Sequence, residues 1–282
     1  MASNNEKIYA QYCDGTKEDS RHAWSRSQSL EFHYTKKAMD GYINKDTRVL
    51  EIGCATGYYA MNYADKCREY VGIDLSPPHI EIFKQKIADN KLTNVSCMVG
   101  DAVNLEGIKD NSFDVVLCLG PMYHLPPNER ELVFAKCARV CKPGGIVAFA
   151  YINKVGVYVG ACVGFGKFSE VYPNAQANDF VLRQSRDDIR HELFYYTMPE
   201  EITAAAAGHG LEKLSNTATD FFITQGFIDQ MDDEKFAIYM ELADEMAKYE
   251  SCTGMSNHAL LICRKNEQNE EEKKYDTVPR TV

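Results

Sequence analysis

The chain has 282 residues, of which 45% are hydrophobic, 11% aromatic and 26% charged. That composition excludes a wholly disordered or fibrous protein, and the length suits one large domain or one domain with a sizeable insertion. Lys and Arg number 31 against 41 Asp and Glu, a net charge of −10 with histidines neutral, so a phosphate-tracking surface and a nucleic-acid partner are not expected. Residues 264–282 carry five basic and five acidic side chains, which assigns the negative charge to the rest of the chain. The 10 cysteines include no C-x-x-C pair, and several sit in apolar runs such as Val115–Leu119. They are expected as reduced, buried thiols rather than metal ligands. The start, Met1 to Lys7, lacks the apolar stretch of an export signal, and no run approaches the ~18 apolar residues of a membrane span. A cytoplasmic protein with no membrane partner is the expectation.

The most regular stretch runs from Thr47 to Tyr151. Arg48–Ile52 is a short apolar run ending in a glycine-containing turn, and Tyr58–Cys67 has helical spacing. Glu69–Asp74 predicts a second strand, and Pro77-Pro78 opens a helix over 79–90. Val95–Val99 and Phe113–Leu119 predict the third and fourth strands. Glu129–Cys141 is amphipathic and stops at Lys142-Pro143-Gly144-Gly145, ahead of a fifth strand over 146–151. Strands alternating with helices of this length predict a parallel sheet covered on both faces. Further on, Pro199–Gly208 predicts a helix with proline near its start and glycine at its end. Leu211–Thr219 and His258–Arg264 predict two more strands, with a helix over 232–249 between them. The end, from Asn266, is a polar tail.

Ligands of an open parallel α/β sheet bind outside the carboxyl ends of its strands. The first strand ends in Glu51, Gly53, Ala55 and Gly57, small residues that allow a tight turn and close approach of the backbone to a ligand. A tight strand-to-helix turn alone accounts for such a run equally well. The second strand ends at Asp74, 21 residues after Gly53, where an acidic side chain can accept hydrogen bonds from ribose hydroxyls or cap the next helix. Asp101-Ala102 follows the third strand, and Leu119-Gly120-Pro121-Met122-Tyr123-His124 follows the fourth. One such feature is noise; four at successive strand ends are not.

Over roughly residues 30–265 the chain resembles the class I S-adenosylmethionine-dependent methyltransferases, with Ala55 in place of the usual middle glycine of their first motif. The spacing differs from the Gly-x-Gly-x-x-Gly of nicotinamide enzymes. The resemblance implies a Rossmann-like, doubly wound and mostly parallel seven-stranded sheet with an antiparallel last strand. It also implies S-adenosylmethionine as cofactor. The first loop, Glu51 to Gly57, would then pass the methionine part, Asp74 the ribose and Leu75 the adenine. Asp101 and Ala102 would meet the adenine edge, with Leu119 lining the cofactor. A narrower likeness to a bacterial small-molecule branch rests on Leu30–Thr35, Leu119–Leu125 and Ser256-Asn257-His258.

The same topology places two insertions on the cofactor side as a mainly helical cap. The expected organisation is a lid segment (1–46), a core (47–150), a cap insertion (151–197), a core helix and sixth strand (198–220), a helical cap insertion (221–256), the last strand (257–265) and a flexible tail (266–282). In the lid, Tyr34 and His33 either contact the cofactor or simply pack. His124, with Tyr123, is the leading candidate for removing an acceptor proton, since an ordinary imidazole titrates near ~6.5; a loop histidine is the plain alternative. His258 and Asn257 are weaker candidates, and His79 and His209 are expected at surface helix ends. The expected function is methyl transfer to a small molecule. A cofactor-binding protein without transferase activity, or an enzyme acting on RNA or protein, are the alternatives.

Overall fold

In the computed structural model the described residues are 4–13, 15–156, 175, 178–179, 181, 193–220 and 225–267. Seven strands form one sheet in the order β3-β2-β1-β4-β5-β7-β6. They are β1 (Arg48–Ile52), β2 (Glu69–Asp74), β3 (Val95–Val99), β4 (Phe113–Cys118), β5 (Cys141–Ile152), β6 (Leu211–Ala218) and β7 (His258–Lys265). Neighbouring pairs from β3 to β5 are parallel, and β7 runs antiparallel to both β5 and β6. The expected doubly wound sheet with a reversed last strand is what the chain forms.

Side chains alternate between two cores, as the two-residue period of a strand requires. In β4, Val116 and Cys118 join one cluster while Val115 and Leu117 join the other. The first cluster is closed by α6 (Pro127–Val140) and α7 (Pro199–Gly208), through Val133, Phe134, Cys137, Ile202 and Ala206. The second is closed by α3 (Arg26–Met39), α4 (Tyr58–Tyr63) and α5 (Pro77–Asp89), through Phe32, Met39, Tyr63, Ile80 and Phe83. Seven of the nine described cysteines are buried, and all nine are free thiols. No helix among the described residues is long and apolar enough to cross a membrane.

Two features position the site. Ahead of α3 lie α1 (Asn4–Tyr12), α2 (Gly15–Ser20) and a 3-10 turn (Arg21–Ala23). The helical segment after β6, with α8 (Gln225–Ile228) and α9 (Asp233–Met246), packs on α3. Ala243 and Ile228 meet Leu30 and Tyr34 there. Asp229 accepts from the Ser27 N–H at 2.8 Å and from its hydroxyl at 2.7 Å, and Arg26 pairs with Asp233. The segment is helical as expected, yet none of its described residues lines the large cavity. It braces α3, and the helices before α3 cover the cavity instead. The proposed cap over 151–197 falls largely outside the described residues, although Phe194 reaches the cavity.

Candidate active site

A cavity of about 680 Å³ opens at the carboxyl ends of β1 to β4, a size usual for small-molecule sites. The loop after β1 reaches it through a series of left-handed turns, with φ +81° at Gly53, +43° at Ala55 and +83° at Gly57. A Cβ on Gly53 would come within 2.7 Å of Pro121 Cδ, and one on Gly57 within 2.4 Å of the Phe83 ring. Glycine is therefore needed at both positions for packing as well as for conformation, whereas Ala55 occupies a conformation costly for an L-residue.

Asp74, at the end of β2, ties the loops together. One carboxylate oxygen accepts from the Ala55 N–H at 2.8 Å; the other accepts from the Ser76 N–H at 2.9 Å and lies 3.2 Å from His79 Nδ1. A carboxylate offers about four acceptor positions, so capacity remains for a ligand. His79 is a correction to the sequence reading: it is buried and lines the cavity, and its Nε2 has no hydrogen-bond partner among the described residues. Asp101 accepts from the Val103 N–H at 3.1 Å and from Asn5 Nδ2 at 2.8 Å. Glu51 accepts from the Tyr70 hydroxyl at 2.7 Å, and burial pushes its carboxyl up to about 8, so it is mostly protonated at neutral pH.

Of the residues expected to hold cofactor, Glu51, Gly53, Ala55, Asp74, Leu75, Asp101, Ala102 and Leu119 all line this cavity. Gly57 does not; it starts α4 against Phe83. Tyr34 and His33 do not either, and this corrects their expected placement. Tyr34 is buried against α9, its hydroxyl donating to Asp244 at 3.1 Å, and His33 is exposed. The same helix turns Glu31, Phe32 and Thr35 to the cavity.

The lid is held by specific bonds. Asn4 Nδ2 donates to the His124 carbonyl at 2.8 Å, and Tyr12 Oη lies 3.0 Å from His124 Nε2. Asp19 pairs with Lys86 and accepts from the Thr56 hydroxyl at 2.9 Å. His124 Nδ1 lies 3.0 Å from the Leu193 carbonyl. A carbonyl only accepts, so Nδ1 carries the proton and Nε2 accepts from Tyr12. Burial, partly offset by the Leu193 carbonyl, lowers the His124 imidazole to about 4. Both nitrogens are engaged, and the ring works as a latch for α1.

Beside Tyr123 the cavity contains a charged group not assembled from the sequence. Arg21 donates to Glu31 at 2.7 Å and to Glu18 at 3.1 Å. Burial disfavours the charged carboxylate of Glu31, but Arg21 and His258 outweigh it and hold the group down to about 2. His258, at the start of β7, lines the cavity with its ring 6.1 Å from that of Tyr123. Its Nδ1 lies 2.6 Å from a carboxylate oxygen of the buried Asp220. Asp220 also accepts from the Ser256 hydroxyl and from the N–H groups of Asn257 and His258.

A strand-end cradle with two acidic side chains, under a lid at one edge of a β3-β2-β1-β4-β5-β7-β6 sheet, defines a class of domain. Residues 49–145 match the family described as a methyltransferase domain. More particularly, the chain is 31% identical over 118 residues to a ubiquinone biosynthesis O-methyltransferase of Neisseria meningitidis serogroup C, covering 41% of this chain and 49% of that protein. It thus spans about half the length of that relative. Among solved structures it is similar in fold to phosphoethanolamine N-methyltransferase 2 of Haemonchus contortus in complex with S-adenosylmethionine (TM-score 0.60, 17% identity, 95% of this chain and 61% of that one). The [4+2]-cyclase SpnF shares the fold as well (TM-score 0.55, 18% identity, 83% of this chain and 80% of that one).

Proposed function

We propose that the protein transfers the methyl group of S-adenosylmethionine to a small-molecule acceptor, releasing S-adenosylhomocysteine. The observation that carries this reading is the convergence of Gly53, Asp74, Asp101 and Leu119, from four successive strand ends, on one lidded cavity. The residues fit the cofactor. The remaining acceptor capacity of Asp74 suits ribose hydroxyls, with His79, whose Nε2 has no partner among the described residues, beside it. Asp101 and Ala102 suit the adenine edge, Leu75 and Leu119 its faces, and the Gly53 loop with Glu51 the methionine part. The bound cofactor supplies an electrophilic methyl on a sulfonium. The chain positions it, keeps water out and offers the acceptor a closed space, the conditions under which effective molarities of ~10⁵ M or more arise.

The acceptor side is lined by Glu18, Glu31 and Arg21 together with Tyr59 and Tyr123. An acidic wall favours a small molecule over a phosphate backbone. The O-methyltransferase named among the relatives supports oxygen as the methylated atom. Calorimetric titration with S-adenosylmethionine tests the reading: Asp74→Ala weakens binding at least tenfold, or ~1.4 kcal/mol. Unchanged affinity in the variant would remove Asp74 from the site.

A further inference from the structure

We propose that His258, aimed by Asp220, is the general base that takes the proton of a hydroxyl acceptor in this cavity. The proposal rests on the methyl-transfer reading above and adds a residue and an acceptor class to it. Geometry supports it in three ways. First, a carboxylate only accepts, so the 2.6 Å contact with Asp220 puts the proton of a neutral imidazole on Nδ1 and leaves the lone pair on Nε2. Second, Nε2 has no hydrogen-bond partner among the described residues, and the ring lines the cavity, whereas Nε2 of His124 is closed off by Tyr12. Third, Asp220 is itself fixed. The Thr219 and Asp220 N–H groups both donate to the Ser256 hydroxyl at 3.1 Å, Ser256 donates to Asp220 at 2.8 Å, and β6 pairs with β7 at Ala218 and Ala259. A nucleophile or base held by a buried partner in this way is the general pattern of an activated catalytic group.

The charged surroundings tune the ring in the same sense. Burial disfavours the imidazolium of His258, but Glu31 on α3, Asp220 after β6 and the hydrogen bond to Asp220 outweigh burial and the opposing charge of Arg21 in the 3-10 turn. The value rises above the ordinary 6.5. Tyr123, after β4, faces the ring edge-on, and burial keeps its hydroxyl protonated. A preformed thiolate or neutral amine would not need such a base; a hydroxyl would, and one of phenolic acidity lies closest to the reach of an imidazole.

In the step, a lone pair of the acceptor oxygen forms the O–C bond to the methyl group. The S–C bond breaks with its pair staying on sulfur, giving neutral S-adenosylhomocysteine, and the hydroxyl proton moves to His258 Nε2 and then to solvent. Asp220 touches neither reactant and is a positioning residue.

Nitrogen-15 NMR of the imidazole, without any acceptor, gives the first arm of the test. The neutral His258 ring is expected as the Nδ1–H tautomer, titrating above 6.5, with a lower value in Glu31→Gln. An Nε2–H tautomer, or a value below 6.5, would overturn the assignment. The second arm uses methyl-labelled S-adenosylmethionine and a metabolite extract, with His258→Gln and Asp220→Asn beside the wild type. Turnover of His258→Gln is expected to fall by ~10²–10⁴-fold, with calorimetric cofactor affinity kept within twofold. The wild-type rate should rise with pH through the NMR value, and the labelled product should be a methyl ether or ester. Equal turnover in His258→Gln, or label on nitrogen or sulfur, would sink the base while leaving methyl transfer standing. Failure of the wild type to bind the cofactor would sink the underlying reading instead. Since Asp220→Asn disturbs several buried bonds, His258→Gln decides.

Discussion

The loop after β4 and the turn into β7 each bring a histidine to the same cavity, and they are wired in opposite ways. His124 has both ring nitrogens engaged, one by the Leu193 carbonyl and one by Tyr12 of the lid, and burial lowers it to about 4. His258 has one nitrogen engaged by a buried carboxylate and the other without a hydrogen-bond partner among the described residues, and neighbouring carboxylates raise it. Residue type and strand-end position do not separate the two. The partner of each nitrogen does: a neutral acceptor plus burial makes a structural latch, while a buried anion leaves a usable lone pair.

The most severe way to break this contrast is at His258, where the loss expected in the second arm of the test exceeds that at any other lid or loop side chain. At His124 a smaller effect is expected. His124→Gln and Tyr12→Phe each remove bonds worth ~1 kcal/mol apiece, so turnover stays within about tenfold of wild type. Amide hydrogen exchange over residues 4–12 speeds up. A fall at His124 as deep as that at His258 would erase the distinction between latch and base.

A third buried group sharpens the comparison by separating stability from chemistry. The folded value of Glu51, about 8, lies above its ordinary 4.5. The protonated carboxyl therefore contributes stability that is complete below pH 4.5 and is lost as pH rises through 8. Glu51→Gln imitates the protonated form and keeps an acceptor for Tyr70. In chemical denaturation it should match wild type near pH 4.5 and exceed it increasingly up to pH 8–9, by ~1.4 kcal/mol per pH unit and so by several kcal/mol in all. The smallest effect is expected at Ala55. Its φ of +43° favours glycine, so Ala55→Gly should raise stability by ~0.5–1 kcal/mol in the same assay, offset in part by the extra freedom of the unfolded chain.

The sequence exposed the cradle because each of its residues stands at a strand end, where turn chemistry is local: Gly53, Asp74, Asp101 and Leu119 are all readable within a few residues of an apolar run. The lid was not legible as helix. None of the α1 residues is buried, so it carries no apolar period to find. In α3, Leu30 and Tyr34 share one face while Glu31 and Thr35 share the next. As a lid aromatic Tyr34 is a candidate for the site, but the helix turns it to Asp244 and brings Glu31 to the cavity. His79 looked superficial because it begins a helix, but the turn after β2 folds it onto Asp74. The Asp220–His258 pair spans 38 residues of sequence, and only the antiparallel pairing of β6 with β7 brings it together.

The claim beneath all of this is that the cavity moves a methyl group. The direct measurement is incubation of the protein with methyl-labelled S-adenosylmethionine and a small-metabolite extract, followed by separation of label and product. The account predicts label in a low-molecular-weight compound, with one S-adenosylhomocysteine formed for each methyl transferred. Tight cofactor binding with no transfer to any metabolite pool, or label found only in RNA or protein, would contradict it.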